Sequence, residues 1–327
     1  MKKNSNTTLE MLAEKLSLSK GTVSLALNGK PGVNPRTREL VLKCASEMNY
    51  KSYSEPRLTR QVGIILPRLT SSFISEILGG IENAAGELDY DLIVHTLEGK
   101  YFKTEQFLKR ILGRVDGVIT HLGLLNEKIR PMIEEAGIPV VCLAPEKDGD
   151  IPTISVNHRK SCEQVIRHLA ELGHRRIVYC HGFSRYSDLR LGYSRTAAEE
   201  HGMEIIQCPI ESEIIPEKAY YNFSKFMTEE HGFTAVVCAS DFIAGGVLQV
   251  LNDAGLRVPQ DVSLVGFDGL NWTKLLTPPL TTVQQPLAEQ GEAAMHLLSE
   301  RILGNDVDHY ILDSTFIIRN STAKVKS

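Results

Sequence analysis

His158, His168, His174 and His181 crowd the middle of this chain and are the side chains best suited to holding a metal. Their spacings are long, however, and no acidic or cysteine partner stands at a recurring offset, as a metal-ligand set requires. Six cysteines (Cys44, Cys142, Cys162, Cys180, Cys208, Cys238) are scattered without C-x-x-C spacing, mostly in apolar surroundings. That is the pattern of buried, reduced thiols in a reducing compartment. Neither a G-x-x-x-x-G-K-[ST] phosphate loop nor a G-x-S-x-G nucleophile elbow occurs. Asp241 and Asp268 offer carboxylates for acid–base work, but nothing supplies a second catalytic role. The sequence therefore predicts no enzyme, no metal and no cofactor.

What remains are polar groups suited to binding: Arg68 to Phe73, His121, Asn157-His158, His181 to Arg190, Ser240-Asp241 and Phe267-Asp268. Each follows or closes an apolar segment. Strands are expected at Val62 to Leu66, Leu92 to Thr96, Val115 to Thr120, Pro139 to Leu143, Ile177 to Cys180, Ala235 to Cys238 and Ser263 to Phe267, with helical stretches between. That rhythm predicts parallel sheets with helices on both faces. Ligands of such sheets sit at the carboxyl ends of the strands, where these polar residues fall.

The first fifty residues follow a different rhythm. Thr7-Thr8-Leu9-Glu10 has the form of a capping box, and Leu9, Leu12, Ala13 and Leu16 then share a helical face. Ser17-Leu18-Ser19 breaks the pattern, and Ser19 can cap a second helix from Lys20 to Leu27, ended by Asn28-Gly29. Asn34-Pro35 starts a third, to about Met48, with Leu40, Val41, Cys44 and Met48 expected inward. A short second helix held across the first is what a major-groove reader needs. Charge agrees. Residues 1–60 hold 11 Lys and Arg against five Asp and Glu, whereas the rest holds 25 against 35. A basic segment on an acidic body suits phosphate neutralisation. At 327 residues, two or three domains are expected. With no apolar leader and no run of 18 apolar residues, the sequence points to a cytoplasmic protein away from membranes.

Here a resemblance becomes specific. Thr8-Leu9-Glu10-Met11-Leu12-Ala13, the run Leu18 to Gly29, and Val33 to Val41 resemble the head of lactose-repressor-type (LacI/GalR) regulators. Val62 to Pro67, Arg114 to Ile119, Ala136 to Val141, His168 to Ile177, Asp261 to Asp268 and Leu276 to Pro286 resemble the sensor domain of the same family, which has the periplasmic-binding-protein fold. The resemblance runs from Thr8 to about Thr322. It implies an all-α helix-turn-helix head joined to an α/β two-lobed sensor.

The resemblance also implies residue roles. Lys20, Gly21 and Leu25 fall at base-reading positions of the recognition helix. Thr8, Ser19, Thr22, Ser24, Asn28 and Asn34 fall where such heads approach phosphates. Leu25 stands where members often carry Arg, and Gly21 has no side chain, so hydrogen-bond readout rests on Lys20 while Leu25 can touch a thymine methyl. The joint Lys51 to Gln61 is short and carries Pro56; Leu58 is either a minor-groove wedge or part of an ordinary linker. By position Phe73, Asn157, Asp241 and Asp268 match effector-contacting sites, with Arg190 one place later than the family's usual arginine. Ala144-Pro145 replaces an Asp-Arg pair, and Ile214 stands where some members stack an aromatic.

The expected organisation is a DNA-binding domain at 1–50, a hinge at 51–61, and an effector-binding and dimerisation domain at 62–327. Its first lobe is expected at about 62–158 plus 286–327, and its second at about 159–285. The expected function is a transcriptional repressor, a homodimer on a palindromic operator, governed by a small molecule. An aromatic face with carboxylate acceptors suits a sugar; a phosphorylated sugar or a nucleobase stays open. The alternatives are a solute-binding protein of the same fold and an α/β sugar-modifying enzyme.

Overall fold

A computed structural model describes residues 8–27, 32–48, 50, 58–66, 69, 71–96, 104–121, 129–147, 149–229 and 232–326. The chain forms two compact units, Met1–Thr59 and Arg60–Ser327. Among the described residues, no helix is long and apolar enough to cross a membrane.

Among the described residues, the smaller unit has three helices, α1 (Leu9–Leu16), α2 (Lys20–Leu27) and α3 (Pro35–Glu47). Leu12, Ala13, Val23, Ala26, Val41, Cys44 and Ala45 form its core. Ser17 ends α1 in the left-handed conformation, its N–H bonded to the carbonyls of Ala13 and Glu14, which produces the tight turn into α2. Two expectations need correction. The cap of α1 is Thr8, whose Oγ1 accepts the Met11 N–H at 3.3 Å, not a box closed by Glu10. Leu40 does not point inward: it is 56% exposed, because Val41, Cys44 and Ala45 already fill the buried face of α3. The joint at 51–57, including Pro56, lies outside the described residues.

The larger unit opens with β1 (Gln61–Leu66), α4 (Ser72–Glu87), β2 (Asp91–Thr96), α5 (Thr104–Ile111), β3 (Gly117–His121), α6 (Ile129–Ala136), β4 (Val140–Leu143) and β5 (Thr153–Val156). The chain then crosses to a second lobe at Asn157. There it builds α7 (His158–Glu171), β6 (Arg176–His181), α8 (Arg185–Glu200), β7 (Glu204–Pro209), α9 (Pro216–Phe226), β8 (Ala235–Cys238), α10 (Asp241–Asp253), β9 (Ser263–Asp268) and β10 (Thr281–Gln284). It returns with α11 (Leu287–Ile302) and β11 (Tyr310–Leu312), and crosses again to β12 (Thr315–Ile317).

Among the described residues, each lobe holds a six-stranded sheet, ordered β11-β5-β4-β3-β1-β2 and β12-β10-β9-β8-β6-β7. Every pairing is parallel except β10 with β12. The central strands are mostly apolar and buried, as expected of strands covered by helices on both faces. The chain past β11 departs from the expected division. Since β12 pairs with β10, and the Val325 N–H bonds the Leu172 carbonyl, this terminal segment belongs to the second lobe rather than the first. Strands β5, β7, β10, β11 and β12 add to those expected from sequence.

Candidate ligand cleft and nucleic-acid interface

A cavity of about 420 Å³ opens between the lobes, at the carboxyl ends of strands from both sheets. The first lobe contributes Ser71, Phe73 and Ile74 from the start of α4, and His121 from the end of β3. The second contributes Tyr186 and Arg190 from α8, Glu211 and Glu213 past β7, Ser240 and Phe242 at the start of α10, and Asp268 at the end of β9.

Arg190 organises the inner wall. Its side chain is buried, with the guanidinium 3.8 Å from the centre of the Phe267 ring. Nη1 donates to the Ala239 carbonyl at 2.6 Å and to Asp268 Oδ1 at 3.5 Å. Gln285 Nε2 also donates to Asp268 Oδ1, at 2.7 Å. Asp268 sits at φ 115°, a conformation costly for any residue with a Cβ. Burial pushes its carboxyl up to about 7, against the opposing pull of Arg190 and Gln285. Burial also pushes His121 down to about 4 and His158 well below its ordinary value, so both rings are uncharged at neutral pH. His158 packs between Tyr186 and Phe267 with neither ring nitrogen hydrogen-bonded.

Of the residues singled out from sequence, Phe73, Arg190 and Asp268 wall this cavity together, and Asn157 and Asp241 do not. Asp241 is fully buried behind it. Its Oδ2 accepts the Leu270 N–H at 2.7 Å and its Oδ1 the Thr282 hydroxyl at 2.6 Å, so it ties α10 to the β9–β10 connection. Burial and the charge of Asp268 push its carboxyl well up. Asn157 caps α7, accepting the Lys160 N–H at 3.2 Å, and donates to Asp313 at 3.4 Å where the chain recrosses between lobes. Glu211, Glu213 and Phe242 were not flagged by sequence. The glutamates follow β7, a half-buried edge strand without a continuous apolar run. Phe242 could have been found from its place two residues past the Ser240 cap. Among the described residues, no three His, Cys, Asp or Glu side chains are grouped so as to hold a metal.

In the smaller unit, helix starts and polar residues coincide. Thr8 caps α1, Ser19 Oγ accepts the Thr22 N–H at 3.1 Å and bonds its hydroxyl at 2.8 Å, and Asn34 Oδ1 accepts the Arg36 N–H at 2.9 Å. Val23 and Ala26 turn inward, which leaves Lys20 and Gly21 exposed and Thr22, Ser24 and Leu25 half-buried. Lys20 Nζ donates to Glu10 at 2.7 Å, and this bond holds the Glu10 carboxyl below its usual range. Leu58 is half-buried and outside any helix; Asn28 lies outside the described residues. Among the described residues the arrangement presents the Lys20 ammonium and the hydroxyls of Ser19, Thr22 and Ser24 around α2, groups able to meet phosphates and a groove edge.

Comparison with known proteins gives a consistent picture. The periplasmic binding protein-like domain family matches residues 166–322. The chain is 29% identical over 319 residues to catabolite control protein A of Priestia megaterium, covering 94% of this chain and 96% of that one. It is 30% identical over 349 residues to the HTH-type transcriptional regulator MalR of Streptomyces coelicolor, covering 97% of each. Among solved structures, the transcriptional regulator CelR–cellobiose complex superposes with a TM-score of 0.74 at 26% identity, over 97% of this chain and all of that one. The lac repressor dimer bound to operator and the anti-inducer ONPF gives a TM-score of 0.74 at 25% identity, over 97% and 99%.

Proposed function

The chain belongs to the LacI/GalR family of transcriptional regulators, and from that premise we propose that it is a sugar-controlled repressor binding a palindromic operator as a homodimer. Residues 1–50 read DNA, 51–61 join the units, and 62–327 bind the effector and dimerise. The single observation that carries the effector half of this reading is the interlobe cleft, where Phe73, Tyr186 and Phe242 supply ring faces and the Arg190–Asp268 pair supplies hydrogen-bonding groups. Ring faces stack on sugar rings while carboxylates accept paired hydroxyls. Relatives support the ligand class: CelR was solved with cellobiose, and a relative 29% identical over 335 residues is the ribose operon repressor of Haemophilus influenzae.

On the DNA side, Thr8, Ser19, Thr22, Ser24, Asn28 and Asn34 approach phosphates, while Lys20, Gly21 and Leu25 face base edges and Leu58 is the wedge candidate. Lys20 exchanges Glu10 for DNA on binding, a swap that costs little because the pair is exposed. Two-fold symmetric half-sites call for a two-fold symmetric protein. Effector binding changes the angle between the lobes and so the spacing of the heads. The protein acts in the cytoplasm, where its operator is.

DNase footprinting on the region upstream of the protein's own reading frame, with and without ribose, cellobiose and maltose, tests this. A protected palindrome whose occupancy responds to one of these sugars is expected. No protection under any condition contradicts the reading.

A further inference from the structure

The cleft carries an imbalance of charge. Among the described residues, three acidic side chains, Glu211, Glu213 and Asp268, line it with one guanidinium, Arg190. That guanidinium is already engaged by Asp268 and the Ala239 carbonyl. Glu211 has its own cation, Lys218, at 2.9 Å. Glu213 meets neutral donors: the N–H and hydroxyl of Ser184, each at 3.0 Å. His121 adds no positive charge at neutral pH.

Glu213 is also held in place. The Ser240 hydroxyl donates to its carbonyl at 2.6 Å. A Cβ on Gly182 would lie 2.1 Å from Glu213 Cγ, so the bare backbone at Gly182 is what admits this side chain. The carboxylate is thus fixed against the start of α8 with its charge beside the cavity. Ser71 and Arg190 line the cavity from side chains more than nine-tenths buried, and Ser71 Oγ and Arg190 Nε, themselves shielded from solvent, have no hydrogen-bond partner. Unmet buried donors are costly unless a ligand completes them. Ligand hydroxyls suit these walls, donating to Glu213 and Asp268. A phosphate would bring a charge of about −1.5 to −2 beside Glu213, which no cation among the described lining residues offsets, in a wall of low dielectric.

We propose that the cleft admits uncharged or positively charged polyhydroxylated ligands and rejects their phosphorylated and carboxylated counterparts, with Glu213 as the residue that sets this choice. The proposal rests on the reading of the cleft as the effector site, and its test separates the two. Phe183, at the cavity mouth and 73% exposed, is replaced by cysteine in the full chain, where the described native thiols are all buried. Its reaction rates with cationic trimethylammonioethyl and anionic sulfonatoethyl methanethiosulfonate are each normalised to free cysteine. A preference of about tenfold for the cationic reagent is expected, reduced about fivefold by Glu213→Gln, as removal of one nearby charge should produce. Equal rates, or preference for the anion, overturn the proposal; a preference that Glu213→Gln leaves unchanged removes Glu213 from it. In parallel, thermal shifts of the wild-type protein are compared for ribose, glucose and glucosamine and for the terminal phosphates of ribose and glucose. A phosphate that stabilises more than its parent sugar also overturns the proposal. If no sugar shifts the protein while the cationic preference holds, the carbohydrate reading fails and the charge selection stands.

Discussion

Removing the Arg190 guanidinium would leave Asp268 with Gln285 alone in a fully buried wall. Breaking one side of a buried pair costs up to roughly 3–5 kcal/mol, less to the extent that the Asp268 carboxyl, already raised to about 7, takes up a proton. Arg190→Met is therefore expected to lower the urea midpoint markedly and abolish any sugar-induced thermal shift. Arg190→Lys should not restore it, because an ammonium cannot both stack on Phe267 and fork between Ala239 and Asp268. The raised pKa of Asp268 has its own signature. At about 7 in the folded chain against an ordinary 3.8, the carboxyl keeps a proton that the unfolded chain has released. Its contribution to stability is thus full below about 4 and is lost as pH rises through about 7. Urea melts should show the wild type losing stability relative to Asp268→Asn between about pH 5 and pH 7.5; parallel profiles would contradict this. That Phe73, Arg190 and Asp268 line the cavity was legible in the sequence, since strand ends located its face and the family resemblance pointed to these positions. Asp241 misled because sequence does not reveal that Leu270 and Thr282 already consume its oxygens.

Helices α4 and α11 meet backbone to backbone in the first lobe. A Cβ on Gly291 would stand 2.1 Å from the Ile77 carbonyl oxygen, and one on Gly80 would stand 1.9 Å from that of Ala288. No side chain can rotate away from such an approach, so Gly291→Ala must push the helices apart. A loss of about 3 kcal/mol or more is expected from overpacking, read as a fall in the thermal midpoint with operator affinity lost only through unfolding. In the head, Thr8→Ala removes the α1 cap and should cost about 1 kcal/mol, measurable by denaturant melts followed at helical wavelengths. The central strands β1, β3, β4, β8 and β9 were legible because burial on both faces demands apolar runs. Those that escaped are short or polar for particular reasons. In β5, Thr153 and Ser155 are buried against His309. In β10, Thr281 and Thr282 are buried against Ser321 and Asp241. Polar residues satisfied by partners some 40 to 156 positions away leave no local pattern to read.

At the scale of the sensor unit, three chain crossings join the lobes, near Asn157, Gln285 and Asp313, and a few contacts span the cleft between them. Arg185 at the start of α8 reaches Glu146 past β4, Nε donating at 3.1 Å and Nη2 to the same oxygen. Tyr186 meets His121 with ring centres 5.2 Å apart. The assignment of the last residues to the wrong lobe came from the same topology, since a chain that crosses three times cannot be apportioned by sequence order. Because Arg185 and Glu146 are each more than a third exposed, their pair is worth at most about 1 kcal/mol. It forms only when the lobes are close, so that energy biases the lobe angle rather than the fold. A ligand that prefers closed lobes must then bind more weakly when the pair is removed, by at most about fivefold, the equivalent of that energy. Glu146→Gln should show this loss in calorimetric titration with whichever sugar stabilises the protein, while leaving the urea midpoint unchanged. Adding Arg185→Gln should weaken binding no further, and about 1 M salt should bring wild type and variant together by screening the pair. Additive losses, or a salt-independent gap, would mean that the two residues act on the ligand separately and not on the closure of the lobes.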